Sequence, residues 1–272
     1  METRSDLTIE VPGAAPNGKD AIKTEVIDDH ILLIRIDRPH RRNAFDGATA
    51  RAMESVINNY EADHNLHCAI ITGSDTVFSS GQDLAAVPYK DFGTSEKRGG
   101  FGIMKVPPTK PVIAAVEGMA LGGGLELCLS CDLVVASRTA QMGLPEVARS
   151  LLALGGGLFR LAKRIPYHIA MEMILTGQHY SAEYMKEIGL VNQLAEPGRA
   201  AERAIELAHK IIKNAPLAVQ ASKLIVQKSV DWTDEESWEK QEGYAGPVLS
   251  SQDFHEGLRA FAEKRKPEWK GG

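Results

Sequence analysis

Three cysteines in 272 residues, Cys68, Cys128 and Cys131, are too few for a disulfide framework and fit a reducing compartment, so the expected location is cytoplasmic. Net positive charge is missing too. The 31 Lys and Arg are outnumbered by 36 Asp and Glu, leaving a formal charge of -5, and the basic residues form only short clusters, which argues against a nucleic-acid partner. No clean hydrophobic run exists for membrane insertion: the most apolar stretch, residues 112–136, is interrupted by Glu117, Glu126, Asp132 and three adjacent glycines, so a buried core accounts for it better. The first six residues lack the apolar segment of a signal peptide and carry acids foreign to a transit sequence. Residues 1–20, rich in Gly, Pro, Asn and Ala, read as a flexible lead-in. There is no G-x-S-x-G elbow, Walker loop or dinucleotide fingerprint, which removes support for a serine hydrolase of that kind and for nucleotide-phosphate binding. What is present, 43% hydrophobic and 25% charged residues, suffices for one large core or two small ones.

Strand and helix signals alternate through the first half. Ile31 to Ile36 is a β-rich run, and Asp46 stands where a helix cap belongs, before Met53, Val56, Ile57 and Tyr60 on one helical stripe. Cys68 to Thr72, Val112 to Val116 and Leu133 to Ala136 read as further strands. Between the first two of these lies a polar, glycine-containing stretch over residues 88–110, expected to be functional or mobile. From Leu158 onward the pattern is helical: Ser181 caps a helix that Gly189 stops, an apolar stripe runs from Ala201 to Ile212, Asn214 with Pro216 starts the next helix, and Asp253 with Glu256 has capping-box spacing.

Composition does not explain Gly122-Gly123-Gly124. Glycines at a helix start cost roughly 0.5–1 kcal/mol each relative to alanine, and two needs fit: close packing against a strand, or backbone N–H groups aimed at developing negative charge. Glu126, just beyond, is a carboxylate among apolar neighbours, and Glu146 follows in a similar setting. Two carboxylates converging in a dry pocket separate into one base and one acid; the alternative is that one or both are exposed or ion-paired. Cys128 and Cys131 have C-x-x-C spacing but no partners for zinc, so no metal is expected and two buried thiols are. His64 and His67 lie in a polar connection and read as a solvated turn; Glu263-Lys-Arg-Lys266 reads as a solvated helix end.

Taken in order and spacing, these motifs resemble the enoyl-CoA hydratase/isomerase, or crotonase, superfamily over residues 25–269. The residues that carry the resemblance are Arg38-Pro39, Asn43-Ala44-Phe45, Phe78-Ser-Ser-Gly-Gln-Asp-Leu84, Lys110-Pro-Val-Ile-Ala-Ala-Val-Glu-Gly118, Ala120-Leu-Gly-Gly-Gly-Leu-Glu-Leu127, Cys131-Asp132, Pro145-Glu146, Gly189-Leu-Val-Asn192 and Phe261-Ala-Glu-Lys-Arg265. The resemblance implies an α/β fold: a spiral of ββα units over residues 21–195, followed by an α-helical trimerisation region over 196–272, assembled as a homotrimer or a dimer of trimers. It implies an acyl-CoA thioester substrate with no separate cofactor. Gln82 and Gly123 are the implied oxyanion-hole donors, Glu126 the base and Glu146 the acid. Ala44, Asp83, Leu84 and Ala85 are the implied CoA contacts, joined by Phe261 and Lys264 acting on CoA bound to an adjacent subunit. The implied reaction is reversible syn hydration of a 2-enoyl-CoA to a 3-hydroxyacyl-CoA. Double-bond isomerisation, dehydration of a specialised acyl-CoA, and catalytically silent acyl-CoA binding are the alternatives. Two positions depart from the hydratase pattern: Gln82 replaces a small residue, expected to narrow or polarise the pocket, and Leu154 stands where hydratases commonly place a glycine beside the catalytic water.

Overall fold

The computed structural model describes residues 21–271; the expected lead-in, residues 1–20, lies outside the described residues. The chain opens as a hairpin of β1 (Ile22–Ile27) and β2 (Ile31–Ile36), whose turn holds Asp28 and Asp29 at positive φ and is closed by His30 N–H donating to the Ile27 carbonyl at 3.2 Å. Two central positive-φ residues match the right-handed strand twist. Helix α1 (Gly47–Ala62) follows, with Asp46 accepting from Thr49 N–H as its cap and Met53, Ile57 and Tyr60 fully buried.

Next come β3 (Cys68–Thr72), the short hairpin strands β4 (Thr94–Ser95) and β5 (Gly99–Gly100), then β6 (Val112–Val116), β7 (Met119–Leu121) and α2 (Gly123–Ser130). They are followed by β8 (Leu133–Ser137), β9 (Gln141–Gly143) and a short 3-10 helix, Pro145–Arg149. The large sheet runs β1-β2-β3-β6-β8, parallel beyond the hairpin. Every residue of β3 and β6 is buried, which is why both read as unbroken apolar runs rather than alternating ones. After each of β6 and β8 the chain crosses to a smaller sheet, in which β7 and β9 pair in parallel. This strand–strand–helix step is the repeating unit of a spiral.

The rest comprises α3 (Gly157–Arg164), α4 (Tyr167–Thr176), β10 (His179–Ser181), α5 (Ala182–Glu187), β11 (Gln193–Ala195), α6 (Ala200–Ile211), α7 (Pro216–Ser229), α8 (Asp234–Leu249) and α9 (Gln252–Glu263). Strand β11 extends the large sheet beside β8, and β10 closes the small one. Ala200, Ala204 and Ala208 of α6 pack on the sheet face formed by Ile31, Ile70, Ile113 and Val135, giving the sheet a core on both sides.

Two local expectations are corrected. The capping box lies not at Asp253–Glu256 but at the start of α8, where Thr233 and Glu236 exchange side-chain and backbone bonds; α9 is capped by Ser251, and Asp253 instead accepts from the Lys270 and Gly271 amides. Pro216 does open α7, but Asn214 is not its cap: its side chain donates backward to the Lys210 carbonyl. Of the two alternatives for the 88–110 stretch, functional or mobile, its hydrogen bonds speak against the second. Glu54 accepts from the Lys97 and Arg98 amides, and the buried Arg98 guanidinium reaches Asn58, Glu61 and the Val106 carbonyl. Helix α7 is tied to the spiral by Lys223, which meets Asp132 at 2.7 Å and the carbonyls of Pro108 and Lys110 at 2.8 Å.

Candidate active site

Backbone pairing brings two distant loops together. Phe78 and Ser79 N–H groups donate to the Met119 carbonyl, Leu121 N–H donates to Ser79, and Phe45 brackets Gln82 through bonds to the Gly81 carbonyl and the Asp83 N–H. These bonds set Gly81 against the start of α2: a Cβ on Gly81, whose φ is +96°, would lie 2.8 Å from the Gly123 nitrogen. The N–H groups of Gln82 and Gly123 donate to no acceptor among the described residues. The geometry of the glycine triplet is compatible with both needs weighed for it. Gly122 turns the chain at positive φ, a side chain on Gly124 would collide with the Ser79 carbonyl, and one on Gly123 would meet the Phe101 ring at 2.5 Å, while the first amides of α2 stay free.

Glu126 lies one turn into α2 and is 5% exposed. Its Oε1 accepts from Gly157 N–H at 2.8 Å, and both Gly155 and Gly157 approach too closely to carry a Cβ without meeting the carboxylate, at 2.8 and 3.0 Å. Burial raises its pKa to about 7; Glu146 adds to that rise, while the Gly157 and Gly155 amides and the Arg160 charge oppose it. Glu146, on the 3-10 helix after β9, sits over the same helix start, its Oε1 3.1 Å from where a Gly122 Cβ would be. Burial raises its pKa as well, and its buried Oε2 has no hydrogen-bond partner among the described residues. That orphan oxygen suits the protonated form, which has a hydrogen to donate to an incoming group.

The remaining expected residues divide into two groups. Ala44 and Asp83 are buried beside Gln82, Asp83 pairs with Arg38 at 3.4 Å and accepts from Ala85 N–H at 3.2 Å, and Leu84 is 48% exposed, so Ala44, Asp83, Leu84 and Ala85 form a rim next to the free amides. Phe261, 86% exposed, lies on α9 and Lys264 is the C-cap just beyond it, and no hydrogen bond or ion pair joins them to that rim among the described residues. The Gln82 side chain, expected to narrow or polarise the pocket, donates from Nε2 to the Asp91 carbonyl at 3.1 Å and to the Asp83 carbonyl at 3.3 Å. Leu154 is 78% exposed and its N–H donates to Leu152, so the amides that serve Glu126 come from Gly155 and Gly157 instead.

Sequence reasoning missed Phe101, Met104 and Arg160. Phe101 stacks on Phe45 with centroids 4.1 Å apart and covers Gly123, and the Met104 sulfur packs on Gly155. The second glycine run, Gly155 to Gly157, was the available signal, because it opens α3 as the first run opens α2. Cys128 and Cys131 are free, buried thiols, with burial pushing Cys131 up to about 12. No cluster of three or more metal-binding side chains occurs among the described residues, and no described helix is long and apolar enough to cross a membrane.

Comparison with known proteins gives the family and the fold. Residues 27–272 match the family model described as enoyl-CoA hydratase/isomerase. The enoyl-CoA hydratase EchA19 of Mycobacterium tuberculosis is 37% identical over 88% of this chain and 93% of its own. A carnitinyl-CoA dehydratase of Salmonella typhi is 40% identical over 89% of this chain and 95% of its own. Among solved structures, an enoyl-CoA hydratase from Mycobacterium tuberculosis superposes with a TM-score of 0.89 at 46% identity, covering 93% of this chain and 99% of the other. With its spiral of strand–strand–helix units and its helical C-terminal region, this chain belongs to the enoyl-CoA hydratase/isomerase family of the crotonase superfamily.

Proposed function

We infer that this protein is a 2-enoyl-CoA hydratase that adds water reversibly and syn across the conjugated double bond to give a 3-hydroxyacyl-CoA. The observation that carries this reading is the convergence of Glu126 and Glu146 at the start of α2, beside the free amides of Gln82 and Gly123. The Glu126 carboxylate takes a proton from water as the oxygen attacks Cβ. The alkene electron pair moves through Cα onto the thioester oxygen, where the two N–H groups stabilise the enolate; one such donor is typically worth about 3–4 kcal/mol. Glu146 then delivers its proton to Cα as the thioester carbonyl reforms. The pair still holds one proton, now on Glu126; loss of that proton to solvent and uptake of another by Glu146 reset the site for the next turnover.

CoA belongs to the substrate, and this chemistry needs no further cofactor or metal. Ala44, Asp83, Leu84 and Ala85 border the thioester end of CoA in this reading, while Phe261 and Lys264 act on CoA held by an adjacent copy. The exposed Val226, Val230, Trp238, Leu249 and Leu258 of the C-terminal region supply apolar surface for assembly into a homotrimer or a dimer of trimers.

The test is loss of conjugated-thioester absorbance on incubation with short- and medium-chain 2-enoyl-CoAs. Formation of a 3-hydroxyacyl-CoA is expected. A second reading, dehydration of a specialised 3-hydroxyacyl-CoA, draws support from the carnitinyl-CoA dehydratase relative and runs the same steps backward. Activity on a trimethylammonium-bearing 3-hydroxyacyl-CoA without activity on simple enoyl-CoAs selects it. Turnover of neither, with 3-enoyl-CoA isomerised instead, overturns both.

A further inference from the structure

Arg160 lies in the first turn of α3 and folds back across the start of its own helix. Its Nη1 donates to Ser130 Oγ at 3.0 Å and to the Gly155 carbonyl at 3.2 Å, and its Nη2 donates to the Met104 carbonyl. These acceptors belong to three segments that meet around Glu126. Ser130 ends α2 and donates its hydroxyl to the Glu126 carbonyl at 2.8 Å. Gly155 begins the turn that supports the Glu126 carboxylate, and Met104 belongs to the Phe101–Met104 segment that packs on that turn. A planar guanidinium serves several acceptors in fixed directions, which a lysine ammonium does not.

We propose that Arg160 is a positioning residue for the reaction, clamping the Gly155–Gly157 turn and the Met104 segment against α2 so that the Glu126 carboxylate is held in place to activate water. The role in turnover rests on the hydratase reading; the clamp itself rests on the bonds described above. Charges around Glu126 are few. Glu146 on the 3-10 helix disfavours its ionisation, Arg160 on α3 favours it, and the segment from Phe101 to Met104 contributes no titratable group. Arg160 itself faces Arg164 on α3, which opposes its charge, and Glu126 and Cys131 from the α2 side, which favour it. Neutralising position 160 leaves Glu126 facing Glu146 with only two amides in its support, so its proton is held more tightly.

Two variants of the full chain separate placement from charge: Arg160→Gln, neutral but able to keep a carbonyl bond, and Arg160→Lys, charged but unable to reach all three acceptors. The direct readout is the Glu126 titration midpoint in glutamate-13C-labelled protein, its NMR signal assigned by its loss in Glu126→Gln, with no substrate required. Arg160→Gln is expected to raise the midpoint, by loss of the charge and loosening of the Gly157 amide, and Arg160→Lys to raise it less. In turnover of enoyl-CoA, Arg160→Gln is expected to lower kcat about ten- to hundredfold with KM changed less than about threefold, and to move the acidic limb of the kcat profile upward with the midpoint. Arg160→Lys restores the limb but leaves kcat several-fold low. An unmoved Glu126 midpoint in folded Arg160→Gln overturns the proposal, as does full wild-type kcat in Arg160→Lys. A moved midpoint in a protein whose wild type hydrates no enoyl-CoA sustains the clamp and overturns the hydratase reading instead.

Discussion

Glu126→Gln and Glu146→Gln are each expected to lower kcat for hydration by about 10²- to 10⁴-fold while changing KM far less, because each removes a proton transfer made only in the transition state. The substitutions are nearly isosteric. A glutamine at 126 still accepts from Gly157 N–H with its amide oxygen, so the glycine turn keeps its partner while the base is gone. The double variant is expected to lose much less than the product of the single losses, since neither acid completes the addition alone. Loss from only one of the two changes assigns the site to a single-carboxylate reaction such as isomerisation. The same Glu126→Gln protein checks the burial argument through stability. Burial raises the folded-state pKa of Glu126 to about 7, above its unfolded value, so its contribution to stability is fully present below about 4.5 and is lost as pH rises through 7. Thermal melts should therefore show Glu126→Gln gaining on wild type between pH 5 and pH 8, by on the order of 2 kcal/mol. A constant difference across that range contradicts the raised pKa.

Gly81→Ala is expected to lower kcat/KM by about 10²- to 10³-fold, the loss associated with one oxyanion donor, although it touches no carboxylate. Gly81 has φ +96°, which L side chains rarely adopt, and its added methyl would lie 2.8 Å from the Gly123 nitrogen and 2.9 Å from the Leu121 carbonyl. The loop carrying Gln82 must then move away from the start of α2, so the two N–H groups no longer converge. Binding measurements distinguish this from general damage: an enolate-like acyl-CoA analogue should lose more affinity than free CoA. Equal losses for both ligands, or wild-type turnover, count against the amide pair.

Legibility in the sequence followed how locally each feature is encoded. Strands β2, β3, β6 and β8 were visible because burial on both faces demands continuous apolar runs, and α1 was visible from Asp46 and its stripe. Strands β7, β9, β10 and β11 have only three residues each and exist through pairing with distant partners, so no local period marks them. Glu126 and Glu146 stood out as carboxylates in apolar settings; in the structure a second glycine turn supplies an amide to the first, while the second keeps a buried oxygen without a partner among the described residues, a cost of burial that the sequence context alone does not show. Arg160 gave no such signal, because its three acceptors are spread over residues 104–155 and converge only after folding. The capping box expected at Asp253 and Glu256 is absent for a related reason: residues near the chain end return to donate two amides to Asp253.

The most direct measurement is a crystal structure of the protein with an unreactive 3-ketoacyl-CoA. The account predicts the thioester oxygen within about 3 Å of both the Gln82 and Gly123 nitrogens, with the Cα–Cβ bond lying between the Glu126 and Glu146 carboxylates. A thioester bound with its oxygen away from those two amides, or with either glutamate turned out of reach of Cα and Cβ, contradicts it.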